Sequence, residues 1–125
     1  MFELRVLPGE YAVCRSPPDS PVPDMAHGDG LVSVTRTDEE LSVVCRSSMA
    51  PATARVEQPW RCLCVVGPLE LAMVGVLSAL AEVLAQAGIA IFVVSTYDTD
   101  YLLVRTVDLR QAVQALQAAG HLVRS

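Results

Sequence analysis

Lysine is missing from this sequence, and its nine basic residues are all arginines scattered along the chain. The formal net charge is −5 and the pI is near 4.8. No basic stripe is therefore available to neutralise phosphates, which argues against a nucleic-acid partner. An uninterrupted membrane span is also lacking. Mean hydropathy is high, at +0.41, but the longest apolar stretch, residues 69–94, is broken by Glu70, Gly75, Ser78, Glu82, Gln86 and Gly88. It divides into a helix and a strand. Glu3 comes early and no apolar signal-peptide core follows, so a cytoplasmic location is expected. Without a secretory signal, Cys14, Cys45, Cys62 and Cys64 are not expected to form disulfides. Cys62 and Cys64 fall on one face of a strand and read as small buried apolar residues. His27 and His121 stand at no ligand spacing, so neither metal nor cofactor is expected. No nucleophile is paired with a base in the pattern, and the chain is not expected to be an enzyme.

What is present is apolar residues in quantity. They make up 52% of 125 residues, against 18% charged, which specifies a globular chain. The length allows one compact domain or two half-domains sharing a core. A small chain cannot hide so large an apolar share, so self-association is expected.

The first half reads as strands at residues 1–7, 11–14, 31–37 and 41–46. Pro8 and Gly9 mark a turn, and residues 16–30, with four prolines, form a loop that has room for a short helical turn over 21–26. The T-D-E-E run at 37–40 is a solvated hairpin tip. Residues 47–59 are weakly patterned, with a helical turn or edge strand at 54–57.

The second half is better defined. Residues 61–66 are a strand. Residues 71–87 are a helix, with Met73, Leu77, Leu80, Leu84 and Ala87 on one face, and Gly88 ends it. Residues 89–95 are apolar on both faces, the mark of a central strand, and 101–105 return as its hairpin partner. Asp108, with Gln111 three residues on, opens a second helix as a capping box. Its buried face holds Leu109, Ala112, Val113, Leu116 and Ala119, and a last strand covers 121–123. The order is strand, helix, strand, strand, helix, strand. The expected fold class is α+β: a ferredoxin-like βαββαβ domain at 59–125, preceded by a reduced, strand-rich half at 1–58.

One stretch stands out. S-T-Y-D-T-D at 95–100 sets two carboxylates, three hydroxyls and a phenol between two apolar strands. Asp98 and Asp100 either cap the turn through local backbone bonds or face a ligand. Glu70 either complements the dipole of the following helix or faces a cationic group. Gly75, read within the helix, serves either close packing or close approach of a ligand.

Three segments carry a family resemblance: S-V-T-R-T-D-E-E-L-S-V-V-C at 33–45, G-P-L-E at 67–70 and I-F-V-V-S-T-Y-D-T-D-Y-L-L-V at 91–104. They resemble the ACT-domain family, and more narrowly the small bacterial proteins with tandem ACT-type domains; the arrangement is similar to the modules of the animal cytosolic arginine sensors. The resemblance implies a free-standing, non-catalytic regulatory or sensor module that binds an amino acid at the interface between two ACT-type units. It places the ligand at the loop 67–75, naming Glu70, Met73, Val74 and Gly75, against Thr96, Tyr97 and Asp100. Ser33 and Val34 match the strand that covers the site from the first half. The alternative is a structural or protein-interaction module that keeps the fold without a ligand.

Overall fold

Alternating apolar and polar residues form the strands, and two stretches of helical period cover one face of a sheet. The computed structural model describes residues 1–24, 30–70 and 74–125. The elements are β1 (Glu3–Val6), β2 (Tyr11–Ser16), β3 (Ser33–Arg36), β4 (Leu41–Arg46), β5 (Arg55–Val65), α1 (Val76–Gln86), β6 (Ile91–Ser95), β7 (Asp100–Arg105), α2 (Leu109–Ala118) and β8 (Leu122–Arg124). A short helical turn over 21–26 falls partly outside the described residues, as does His27; residues 21–24 hold no regular structure. Among the described residues no helix is long and apolar enough to cross a membrane.

Contacts divide the chain into two units, one of Met1–Pro8 with Arg61–Ser125 and one of Gly9–Trp60. The division falls inside β5 and gives β1 to the later unit, which differs from segments 1–58 and 59–125. The cause is long-range pairing that leaves no local trace. Leu4 of β1 lies opposite Val65, antiparallel, and on its other side β1 runs parallel to β8, with Leu4 opposite Val123.

In the later unit β5, α1, β6, β7, α2 and β8 follow the βαββαβ order, an α+β ferredoxin-like arrangement, with sheet order β6-β7-β5-β1-β8. Period-two alternation puts Leu63 and Val65 of β5 and Leu102 and Val104 of β7 into one core with Leu4. Val76, Leu80 and Leu84 of α1 and Ala112 and Leu116 of α2 close it. Among the described residues β6 pairs with β7 alone, and its apolar residues are half-buried. The strand expected to be central is thus at an edge, because apolar residues on both faces do not by themselves require a neighbour on both sides.

Two helix boundaries also differ from expectation. Helix α1 begins at Val76, not at residue 71, because Gly75 has φ 86°, a left-handed conformation that cannot continue a helix. Met73 and the two residues before it lie outside the described residues. At α2, Asp108 makes no side-chain cap hydrogen bond. Gln111 reaches across instead, and its Nε2 donates to the Ala87 carbonyl at 3.1 Å, at the end of α1.

The unit Gly9–Trp60 has sheet order β3-β4-β2-β5. Ala12 and Cys14 of β2 and Leu41, Val43 and Cys45 of β4 form its core. Residues 54–57, open between turn and strand in the sequence, belong to β5. The register of β2 on β5 shifts between Tyr11 and Val13, where Pro59, which has no N–H to donate, is accommodated. In the 37–40 tip the Thr37 hydroxyl accepts hydrogen bonds from Glu39 N and Glu40 N, both at 3.1 Å, so this polar run caps itself.

Leu80 is fully buried and Val107 is 88% exposed. Leu80→Ala is expected to cost about 2–5 kcal/mol in denaturant unfolding, and Val107→Ala less than about 0.5 kcal/mol. Burial also pushes the Cys62 thiol up to about 12 from its ordinary 9.0, helped by the neighbouring Cys64. The unfolded chain then releases a proton that the native chain holds, so stability is expected to fall as pH rises from 9.0 towards about 12. Cys62→Ala should flatten that slope in alkaline urea titrations.

Candidate functional site

The exit of β5 and the β6–β7 turn are tied together by two hydrogen bonds, and the turn is braced by its own. Thr99 Oγ1 donates to the Val65 carbonyl at 2.6 Å, and this is the buried hydroxyl of the turn. Leu69 N donates to the Asp98 carbonyl at 2.7 Å. Within the turn Thr96 N donates to the Thr99 carbonyl at 2.9 Å, and Thr96 Oγ1 accepts from Thr99 N at 3.3 Å. Gly67 permits the close approach: a Cβ there would lie 2.9 Å from Leu69 N and 3.2 Å from the Asp98 carbonyl oxygen.

These ties leave a cavity of about 540 Å³ between the turn and the start of α1, a size within the range of small-molecule sites, about 300–1,000 Å³. One wall is Gly75, Val76, Leu77 and Ser78; the other is residues 95–100; Leu69 and Glu70 join them. No side chain caps α1, and its first turn carries no acid. Its leading N–H groups thus have no side-chain acceptor at a positive dipole end. Glu70, Asp98 and Asp100 supply carboxylates, and no basic side chain lines the cavity among the described residues. Asp100 is held in place by Ser95, whose Oγ donates to Asp100 Oδ1 at 2.6 Å.

Of the residues named from sequence, Glu70, Gly75, Thr96, Tyr97 and Asp100 line this one cavity. Val74 is 90% exposed and is not a lining residue. Met73 lies outside the described residues. Ser33 and Val34 lie on β3 and are not lining residues either. Sequence reasoning gave Thr99 no separate part, although it is the anchor of the turn. Its alternation with the exposed Asp98 in a polar run was the only signal. Val76, Leu77 and Ser78 were also not named as site residues, whereas Leu69 and Ser95 fall within the loop 67–75 and the stretch 95–100.

Nucleophile chemistry finds little support among the described residues. All four cysteines are free, buried and shifted towards the neutral thiol, chiefly by burial. His121 is used structurally: its Nδ1 accepts from Phe2 N at 3.0 Å and its ring stacks on Phe2 at 5.7 Å. No group of three metal-ligating side chains is found among the described residues.

Comparison with known proteins adds a family. The model for the ACT domain matches residues 55–118, and a second model, described as an N-terminal domain, matches residues 9–53. No curated protein matches the sequence. A crystal structure of an Agrobacterium tumefaciens protein is 40% identical, with a TM-score of 0.90, over 99% of this chain and 93% of that one. A Vibrio cholerae protein described as of unknown function is similar at 24% identity and a TM-score of 0.76, over 94% of this chain and 88% of that one. The aspartate kinase of Clostridium acetobutylicum, described as an allosteric enzyme, is 13% identical with a TM-score of 0.66, over 93% of this chain and 33% of the kinase. The last two show likeness of fold.

Thr99→Val keeps the side-chain shape and removes the donor to Val65. It is expected to cost about 1–3 kcal/mol, read from the denaturant midpoint. An unchanged midpoint would show that the turn is held by its other bonds.

Proposed function

The chain belongs to the ACT-domain family, and from that premise we propose that it is a non-catalytic regulatory or sensor module whose ligand is an amino acid. The observation that carries this reading is the pairing of walls in the cavity. The open N–H groups of α1 suit a carboxylate. The carboxylates of Asp100 and Asp98 suit an ammonium group through charge-assisted hydrogen bonds. A zwitterion presents both groups on adjacent atoms. Glu70, exposed at the rim, is the residue we assign to a cationic side chain if the ligand has one.

The reading does without Ser33 and Val34, which are not lining residues. The first half, residues 1–58 as read from the sequence, is taken as a reduced unit of the same kind, and the chain as a cytoplasmic homodimer. The β6 edge supports the dimer: β6 pairs with β7 alone, and Ile91, Phe92, Val93 and Val94 are half-buried, an edge that a second copy would cover. Regulation then follows from differential affinity, the ligand favouring the arrangement it binds more tightly.

The test is thermal unfolding with each of the twenty amino acids at millimolar concentration. A ligand that binds only the folded chain adds about 2.7 kcal/mol of stability at a hundredfold excess over its dissociation constant. One amino acid, or one related group, is expected to raise the midpoint, and Asp100→Ala to abolish the rise. If none raises it, the ligand-free interaction module becomes the better reading.

A further inference from the structure

A second groove, of about 750 Å³, lies in the same unit and shares no residue with the cavity above. Leu7, Leu109 and Val113 give it an apolar wall, and Arg5, Arg61 and Arg110 line it as well. Among the described residues, no Asp or Glu side chain lines it. For a chain of net charge −5 with only nine arginines, three around one groove are a marked local concentration of positive charge, which the terminal Ser125, also in the lining, offsets only in part.

Arg61 is the odd residue. It alternates along β5 with Leu63 and Val65, both in the core beneath the helices, so it stands on the face where the strand otherwise places apolar residues. Its Nη2 donates to the Leu7 carbonyl at 3.3 Å, which fixes the guanidinium against the end of β1. Its Nε is buried and has no hydrogen-bond partner. A stem that merely covered apolar surface would carry its head out to water; here a donor is withheld from water and left without an acceptor. Such a group calls for an explanation, and an absent acceptor is one. By contrast the nearby Glu3 and Arg124 form an ion pair at 2.9 Å, whereas Arg5, Arg61 and Arg110 have no ion pair among the described residues.

We propose that this groove is a binding site for a small organic anion, an apolar body carrying a carboxylate or phosphate group. The apolar body would rest on Leu7, Leu109 and Val113. The anionic oxygens would take the guanidinium donors of Arg61 and Arg110, whose planar fork matches either group.

The test titrates the intact protein, by calorimetry and by methyl NMR, with benzoate, phenyl phosphate, inorganic phosphate and benzylammonium. Benzoate, phenyl phosphate or both are expected to bind saturably and to shift the methyls of Leu109 and Val113, and the tighter of the two identifies the anionic group. Benzylammonium is expected not to bind. Arg110 is exposed, so Arg110→Glu should fold normally and weaken the anion by about tenfold or more; Arg61→Met should do the same. Failure of both aromatic anions to bind, equal binding of benzylammonium, binding as tight for inorganic phosphate as for phenyl phosphate, or an unchanged affinity in Arg110→Glu would each overturn the proposal. None of these results bears on the amino-acid cavity, which uses other residues.

Discussion

The later unit is organised by the hydrogen bond from Thr99 Oγ1 to the Val65 carbonyl, 2.6 Å long and buried. It fixes the turn of the β6–β7 hairpin to the end of β5. With the hairpin fixed, Leu69 N meets the Asp98 carbonyl and the chain leaving β5 is directed past the turn. Gly67 is required there because a Cβ would press on backbone that has nowhere to go. Gly75, in the left-handed region, then starts α1 so that its first N–H groups open onto the same space. The cavity is thus built by backbone constraints; for the ligand proposed above, a preformed site lowers the ordering cost of binding.

Much of this was legible in the sequence, for reasons that can be named. The βαββαβ order follows from period-two and period-3.6 patterns that reach the structure intact, as Leu80, Leu84, Ala112 and Leu116 show by closing one core. The polar run at residues 95–100 could be singled out because such residues are costly between apolar strands. What could not be read was long-range or conformational. Nothing local announces that β1 pairs with both β5 and β8, some sixty and some hundred and twenty residues on. The start of α1 depended on the φ of Gly75, and a glycine reads the same in a helix as before one. Asp108 and Gln111 have the spacing of a capping box, yet the Gln111 amide found the Ala87 carbonyl, an acceptor that exists only once the two helices pack. The edge position of β6 was hidden because its residues are apolar on both faces.

The two cavities of the unit have opposite chemistry. Among the described residues, one joins a helix N-terminus to carboxylates with no basic side chain in its lining, and the other joins arginines to an apolar wall with no Asp or Glu side chain in its lining. All four cysteines are buried, and burial shifts each towards the neutral thiol.

The most direct measurement of the central claim is backbone amide NMR of the intact chain on addition of an equimolar mixture of the twenty amino acids. The account expects perturbations centred on Val76, Leu77 and Ser78 at the start of α1 and on residues 96–100 of the turn. Perturbations confined to other parts of the chain, or none at millimolar concentration, would contradict it.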